Sequence, residues 1–495
     1  MIEALADLLR DEQEAEITKT AVAGALVELD ADQYAELLFR QSQQGQQMMK
    51  LIVEPALMRW DYQPVRETWL QRLQALPGDR ALLDVAVEQL GRTGDQRASA
   101  GLGKLALDEA VAPTLRIAAA RSLARCIRDA QQAAQWSEQM WQQRENGPAN
   151  PIVGALLLSG QDSPQAIELL QRYALSDVTT AAAIAIERLN QVAVDKVVAH
   201  AEQLLSSRDS SVRGLAIAAL QSSRTPQTVE LLFPLLNDPV PSIRQAARRV
   251  LMETSAEQEL RSLINQKAAQ LIHGDAWKAT EQALLILAEL EYRDEFEQMM
   301  VLIDDPHPGV QITAAWAIKT LATEAWMAKI FSSCERIGTQ EAKKFDPNRT
   351  QTLIHLIETL GKMNETAAEE FLQLFIPKNA PYTPECRAAA IWSLGKLKAG
   401  SEDQEMSRTL GARLVDTEST PPEFRAVRTA SAVAMGRIKS AGALDALRAR
   451  ETRDGPGDFV GRRCAWAIEQ IEGTPMPPLV SNKDVMAGWF LQPLD

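Results

Sequence analysis

One phrase, a short turn followed by an alanine-rich apolar helix, returns along the whole chain and limits what the chain can fold into. Its clearest copy runs from Asp305 to Leu321, DPHPGVQITAAWAIKTL. Asp305 suits a helix cap, and the prolines at 306 and 308 suit a first turn that needs no backbone N–H donor. Val310, Ala314, Ile318 and Leu321 then recur at helical spacing, and small alanines between them let a second helix come close. The phrase returns at Asp209 to Leu220, Asp238 to Leu251, Cys386 to Leu397, Val427 to Ile438 and Val460 to Ile471. Aligned on the residue after the Val, Ile or Cys, the copies place Arg213, Arg244, Lys278, Gln311, Leu353, Arg387, Arg428 and Gly461 in one register. Weaker copies add Leu83, Arg116, Asn150 and Thr179, and further upstream Lys19 and Met49. The intervals average roughly 34 residues, the period of stacked helix pairs.

A chain of 495 residues ordinarily divides into two or three globular domains. A repeat array escapes that limit, because each layer contacts only its neighbours and the array lengthens without enlarging any single core. Aromatic residues are only 5% of the chain, so alanine, leucine and valine must fill the interior and helices must pack closely. The expected fold is all-α: stacked antiparallel helix pairs, about a dozen or more, forming an α-solenoid.

The phrase Val-Arg-x-x-Ala-x-x-x-Leu-Gly-Lys, best represented by Cys386 to Leu397 and Val427 to Ile438, resembles the HEAT-repeat family. Its alanine-rich style is most similar to the bacterial branch named after phycobilisome lyases. The resemblance covers about Pro77 to Gly473 and implies a right-handed superhelix whose second helices line the concave surface. It also implies a ladder between neighbouring repeats, built from a loop Asp and the Arg after the Val. Arg116, Arg213, Arg244, Arg387 and Arg428 fit that ladder, whereas Gln311, Leu353 and Gly461 interrupt it.

A formal net charge of −14 disfavours general binding to phosphate backbones. The four cysteines, Cys126, Cys334, Cys386 and Cys464, are far apart and form no CxxC pair, so they read as apolar fillers rather than a disulfide or zinc framework. No apolar run reaches the roughly 18 to 20 residues of a membrane span. The N-terminal MIEALADLLRDEQEAE carries acids where a signal peptide needs a basic region, and a cytoplasmic location is the expectation.

Residues 1–76 blur the period and read as divergent capping repeats, 77–473 as the array, and 474–495 as a proline-rich tail with an apolar anchor at Trp489, Phe490 and Leu491. That tail either covers the last repeat or offers a docking motif to a partner. Between Thr323 and Arg349, and again between Lys398 and Arg425, the interval lengthens. Added residues in a solenoid emerge as loops or as longer helices.

Trp316, Trp392 and Trp466 share one register position, about 200° around the helix from the main seam. Lys362, Lys396 and Arg437 share another, on the outer half of the same helices. By the family resemblance these six residues form a basic and aromatic strip on the inner face, a candidate partner-binding surface. The alternative is packing by the tryptophans and capping of helix C-termini by the cations. His355 and Glu358, three residues apart, form at most half of a metal site and read more simply as a solvated face. Gly101 to Ala106, GLGKLA, has the spacing of a dinucleotide fingerprint but lacks the preceding strand. No nucleophile, metalloprotease or phosphate-loop motif is present in the sequence, and no cofactor is expected. The leading reading is a non-catalytic scaffold for protein partners. A tetrapyrrole-chromophore lyase or other small-ligand enzyme, and a nucleic-acid-binding HEAT protein, are the alternatives.

Overall fold

The computed structural model describes residues 2–75, 78–454, 458–473 and 475. These residues form 29 α-helices and short 3-10 turns, with no strand among them. The helices pair, and the pairs stack. Two compact units result, one ending at Leu231 and the other beginning at Leu232.

In the first unit the second helices of successive pairs are Glu16–Glu28, Gln47–Arg59, Arg80–Thr93, Pro113–Cys126, Ala149–Leu158, Thr179–Val192 and Ser210–Leu220. In the second unit they are Pro241–Thr254, Trp277–Glu289, Pro308–Leu321, Pro347–Lys362, Pro384–Leu397, Arg425–Ile438 and Phe459–Glu472. Within each unit every second helix packs against the one before and the one after it. Val310, Ala314, Ile318 and Leu321 are all fully buried, so the seam of the 308–321 helix follows the sequence period.

Close approach is made possible by the glycine of the Leu-Gly-Lys and Met-Gly-Arg phrases. A Cβ on Gly361 would lie 2.6 Å from the Ser393 backbone, one on Gly395 would lie 2.6 Å from that of Ala434, and one on Gly436 would lie 2.7 Å from that of Ala467. Gly91 meets Ser122 in the same way in the first unit. These glycines are points of helix contact along a tight row rather than helix terminators.

Proline opens many of these helices because the first turn has no use for its missing N–H. Pro113, Pro241, Pro308, Pro347 and Pro384 all sit there. Asp305 does not take the expected capping position. The residue before the helix is His307, and the Asp305 carboxylate instead accepts the His307 N–H at 2.7 Å, closing the turn two residues earlier. Asp238 does the same for Val240, whereas Asp209 does cap its helix by accepting from Ser211 N.

The register residues clamp the preceding loop. Arg213 donates to Ser207 O at 2.8 Å, Arg244 to Asp238 O at 2.8 Å, Arg116 to Ala106 O at 3.0 Å and Arg387 to Phe375 O at 3.1 Å. Gln311, which breaks the expected Asp–Arg ladder between repeats, still clamps its own loop, its amide donating to Asp305 O at 3.2 Å. A shorter amide suffices because the requirement is a donor aimed at a loop carbonyl. In the 277–289 helix that position belongs to Thr280, which is buried and donates to Leu271 O at 3.3 Å, and not to Lys278. Thr280 is the fourth residue of its helix, as Arg244 and Gln311 are of theirs, so the register falls two residues after Lys278.

The two long intervals resolve differently. Residues 327–343 form one continuous helix of 17 residues, so most of the first added length extends a helix. In the second interval Gln404–Val415 is a helix, and residues 416–424 form a loop that brings Glu423 into the core. All four cysteines are buried and none forms a disulfide, and burial pushes Cys126 up to about 11 and Cys386 up to about 12. Residues 101–106 lie inside the helix Ser99–Leu107, where Gly101 faces Leu73 and Gly103 faces Trp136, so this stretch is packing and not a phosphate loop. Among the described residues no helix is long and apolar enough to cross a membrane.

Candidate functional site

Trp316, Trp392 and Trp466 stand on the 308–321, 384–397 and 459–472 helices, each half-buried. Burial of the neighbouring Ala315, Ala317, Ser393, Ala465 and Ala467 leaves these rings at the edge of the core, where the register argument puts them. Trp466 lies over Gly436, so a methyl group there would strike its ring. Trp392 carries Arg437 on its face, with the guanidinium carbon 4.9 Å from the ring centroid and Nη1 donating to Trp392 O at 3.3 Å.

The cations at the other register position have mixed roles. Lys362 donates to Lys319 O at 2.8 Å and Thr320 O at 3.3 Å, which satisfies the C-terminal carbonyls of the 308–321 helix. Arg437 is held by Trp392, whereas Lys396 is exposed. Capping therefore accounts for Lys362, whereas Arg437 holds a ring and a carbonyl inside the 384–397 helix. Trp489, Phe490 and Leu491 lie outside the described residues.

The feature that pattern reading missed is a groove of about 770 Å³ across four second helices, 347–362, 384–397, 425–438 and 459–472. Ala388, Ala389, Ala426, Ala430 and Val433 make its floor, with Ile354 beside them. Trp392 and Phe459 form its aromatic walls. Phe459 is half exposed, and the guanidinium carbons of Arg425 and Arg463 lie 5.5 and 4.8 Å from its ring centroid. Such cation–aromatic contacts keep both partners positioned at a surface. Glu358 and Glu385 line it from the 347–362 and 384–397 helices. Burial pushes the Glu358 carboxyl up, but His355 and Lys319 beside it together hold it below the usual carboxylate range. The groove is thus apolar at its base, acidic along one side and basic at the 459 end. The small residues Ala388, Ala389, Ala426 and Ala430 on two adjacent helices were the sequence signal for it.

His355 and Glu358 approach to 3.7 Å, and Lys319 occupies the carboxylate as well. Among the described residues no group of three His, Cys, Asp or Glu side chains converges as a metal site would require.

A larger cavity of about 890 Å³ opens beside the 404–415 helix, lined by Glu369, Lys378, Lys398, Asp403, Arg408 and Arg413 among others. Most of its charges already have partners: Lys398 pairs with Glu369 at 2.7 Å and Asp403 at 2.9 Å, and Lys378 with Asp416 at 2.6 Å. A ligand there would have to displace those pairs, whereas the Trp392 groove offers bare apolar surface.

Beneath the 416–424 loop lies a buried ion pair. Arg387 donates to both carboxylate oxygens of Glu423, at 2.9 and 2.8 Å, with both residues buried. Glu423 also accepts the Phe424 N–H at 3.0 Å, and Arg413 approaches it at 3.5 Å. This is a rung between neighbouring repeats with Glu in place of the expected Asp. In the first unit Arg116 reaches Asn150 at 2.6 Å in the corresponding manner.

Residues 198–270 match the family described as HEAT repeats. No curated protein matches the chain. Among solved structures, the one in which Kap95p binding induces the switch loops of RanGDP to adopt the GTP-bound conformation is similar at a TM-score of 0.61 and 13% identity, covering 95% of this chain and 72% of that one. Kap121p bound to Pho4p is similar at a TM-score of 0.53 and 12% identity, covering 95% of this chain and 53% of that one. Kap121p bound to RanGTP gives 0.52 and 12%, covering 95% and 56%. The chain spans just over half the length of Kap121p. At these identities the likeness is one of fold, and the fold is a HEAT-type α-solenoid.

Proposed function

We propose that this protein is a non-catalytic interaction scaffold that holds a protein partner on the second-helix face of its C-terminal unit. The observation carrying this reading is the groove around Trp392 and Phe459, an apolar floor with two part-exposed aromatic walls and arginines at one end. Tryptophan and arginine at the edge of a small apolar pocket are the side chains that most often dominate protein interfaces. That solved structures of the similar Kap121p hold Pho4p and RanGTP supports a protein as the kind of partner.

Trp316 and Trp466 extend the same face on either side, with Lys396 exposed beside Trp392 on the same helix; Lys362 and Arg437 serve it by fixing the helices and the Trp392 ring. The organisation into capping repeats, array and tail, and a cytoplasmic location, belong to this proposal. A tetrapyrrole or a phosphate backbone suits the groove less, because Glu358 and Glu385 line it and repel an acidic ligand. The likeness to phycobilisome-lyase repeats rests on alanine-rich sequence style alone.

The test is affinity capture from native lysate with wild type and a Trp316→Ala, Trp392→Ala, Trp466→Ala variant whose circular dichroism matches wild type. A protein retained by wild type and lost by the variant supports the reading. Equal capture by both, or a bound small molecule with no protein, overturns it.

A further inference from the structure

We propose that the groove at Trp392 and Phe459 is occupied in the free protein by the chain's own segment Val485–Leu491, which a partner must displace. This rests on the reading of the second-helix face as a binding face, and adds that the face is competed for from within.

Three observations favour this occupant. The first is position. Three of the four helices lining the groove are the last three second helices, 384–397, 425–438 and 459–472, and the described helical array ends at Gly473. The last helix has 14 residues and is therefore about 21 Å long. Phe459 stands at its far end, and the groove centre lies one or two interhelix spacings of about 8–10 Å beyond. Residues 474–484 connect Gly473 to Val485 and reach up to about 36 Å when extended, enough to return to Phe459 and cross the groove.

The second is chemistry. Val485, Met486, Trp489, Phe490 and Leu491 are the apolar cluster of the last 22 residues. The groove offers alanine floor for one large side chain and two aromatic walls for another. An uncovered groove of this kind leaves apolar surface in water, and a segment tethered a few residues away meets it at an effective concentration no free partner matches.

The third is charge. The chain carries −14 overall, yet residues 425–463 hold nine Lys or Arg against four Asp or Glu. Arg425 and Arg463 stand at the Phe459 end of the groove. The segment 484–495 carries Asp484 and Asp495 and no cation. With Glu358 and Glu385 also lining the groove, its charge orients the segment, acidic residues toward Arg425 and Arg463, while the binding itself is apolar.

The test uses the full chain throughout. A fluorescent peptide of residues 480–495 is titrated by anisotropy into dilute wild type, into a Trp489→Ala, Phe490→Ala, Leu491→Ala variant, and into that variant with Phe459→Ser and Ala426→Glu added. Thermal unfolding checks that all three are folded. The expected result is binding at least about tenfold tighter to the tail variant than to wild type, because the tethered segment competes only in the latter. Loss of that binding on adding the two exposed groove substitutions places the peptide. Equal binding to wild type and tail variant, no binding to the tail variant, or binding that survives the groove substitutions overturns the inference. A wild-type dimer that excess peptide dissociates also overturns it, since the segment then occupies a second copy. If the tail variant ignores the peptide yet still captures a Trp-dependent partner, the inference fails while the scaffold reading stands.

Discussion

The two units carry tryptophan on different helices of the pair. In the first, Trp69 is fully buried on the helix Pro64–Ala75 and donates from Nε1 to the buried Glu54 carboxylate at 2.9 Å. Trp136 faces Gly103, and Trp141 packs edge-on to the fully buried Tyr173. These rings sit on first helices, where they fill the space that alanine-rich second helices leave. In the second unit Trp316, Trp392 and Trp466 sit on second helices at the position opposite the seam and remain half-buried. Trp136 and Trp141 are half-buried too, so only Trp69 is wholly core; what differs is the helix that carries the ring and what the ring faces. Removing Trp69 should therefore damage stability, and removing Trp392 should damage binding.

The comparison breaks first at the buried polar contacts. Arg387→Met should cost about 3–5 kcal/mol, because it leaves Glu423 buried with only the more distant Arg413. Denaturant unfolding should show the loss in the transition of the second unit. The same pair sets an acid dependence. Burial pushes the Glu423 carboxyl up, but its hydrogen bonds to Arg387 overrule this and hold it below its ordinary 4.5. As pH falls the unfolded chain takes up that proton first, so the contribution is complete at neutral pH and drains below about pH 4.5. The drop in midpoint between pH 6 and pH 4 should shrink in Arg387→Met; an unchanged drop would assign the acid sensitivity elsewhere.

Trp69→Ala should cost about 3–5 kcal/mol through the cavity it leaves. Its effect should fall on the first unit, since layers of a stack communicate mainly with their neighbours. A uniform shift of a single transition would show that the two units unfold together.

Smaller effects sharpen the register. Gly395→Ala drives a methyl group into the Ala434 backbone, and Ala314→Leu overfills a fully buried position. Each should lower stability by about 1–3 kcal/mol in thermal unfolding. No loss for either would mean that the second helices have room to separate. Trp392→Ala comes last: it should change stability by about 1 kcal/mol while abolishing partner capture, and a larger stability loss would class Trp392 with Trp69.

Much of this was legible in residues alone. Period, helix pairing, the buried seam at Val310, Ala314, Ile318 and Leu321, and the shared position of the three tryptophans follow from local spacing, because a helix fixes which of its own residues share a face. The corrections came where a neighbour decides the outcome. Asp305 closes a turn instead of capping because the helix starts at Pro308. Gln311 and Thr280 stand where arginine clamps the preceding turn in other repeats, because a carbonyl there accepts from any donor in reach.

By itself the sequence determined that this chain stacks helix pairs, and which residues each helix turns inward. Only the tertiary structure decided that Glu423 meets Arg387, 36 residues away, and that residues from Gln351 to Phe459 line one groove. The physical reason is that the repeat is written within each helix, whereas a rung or a groove exists only between helices. Its chemistry depends on how closely glycine and alanine let the backbones approach.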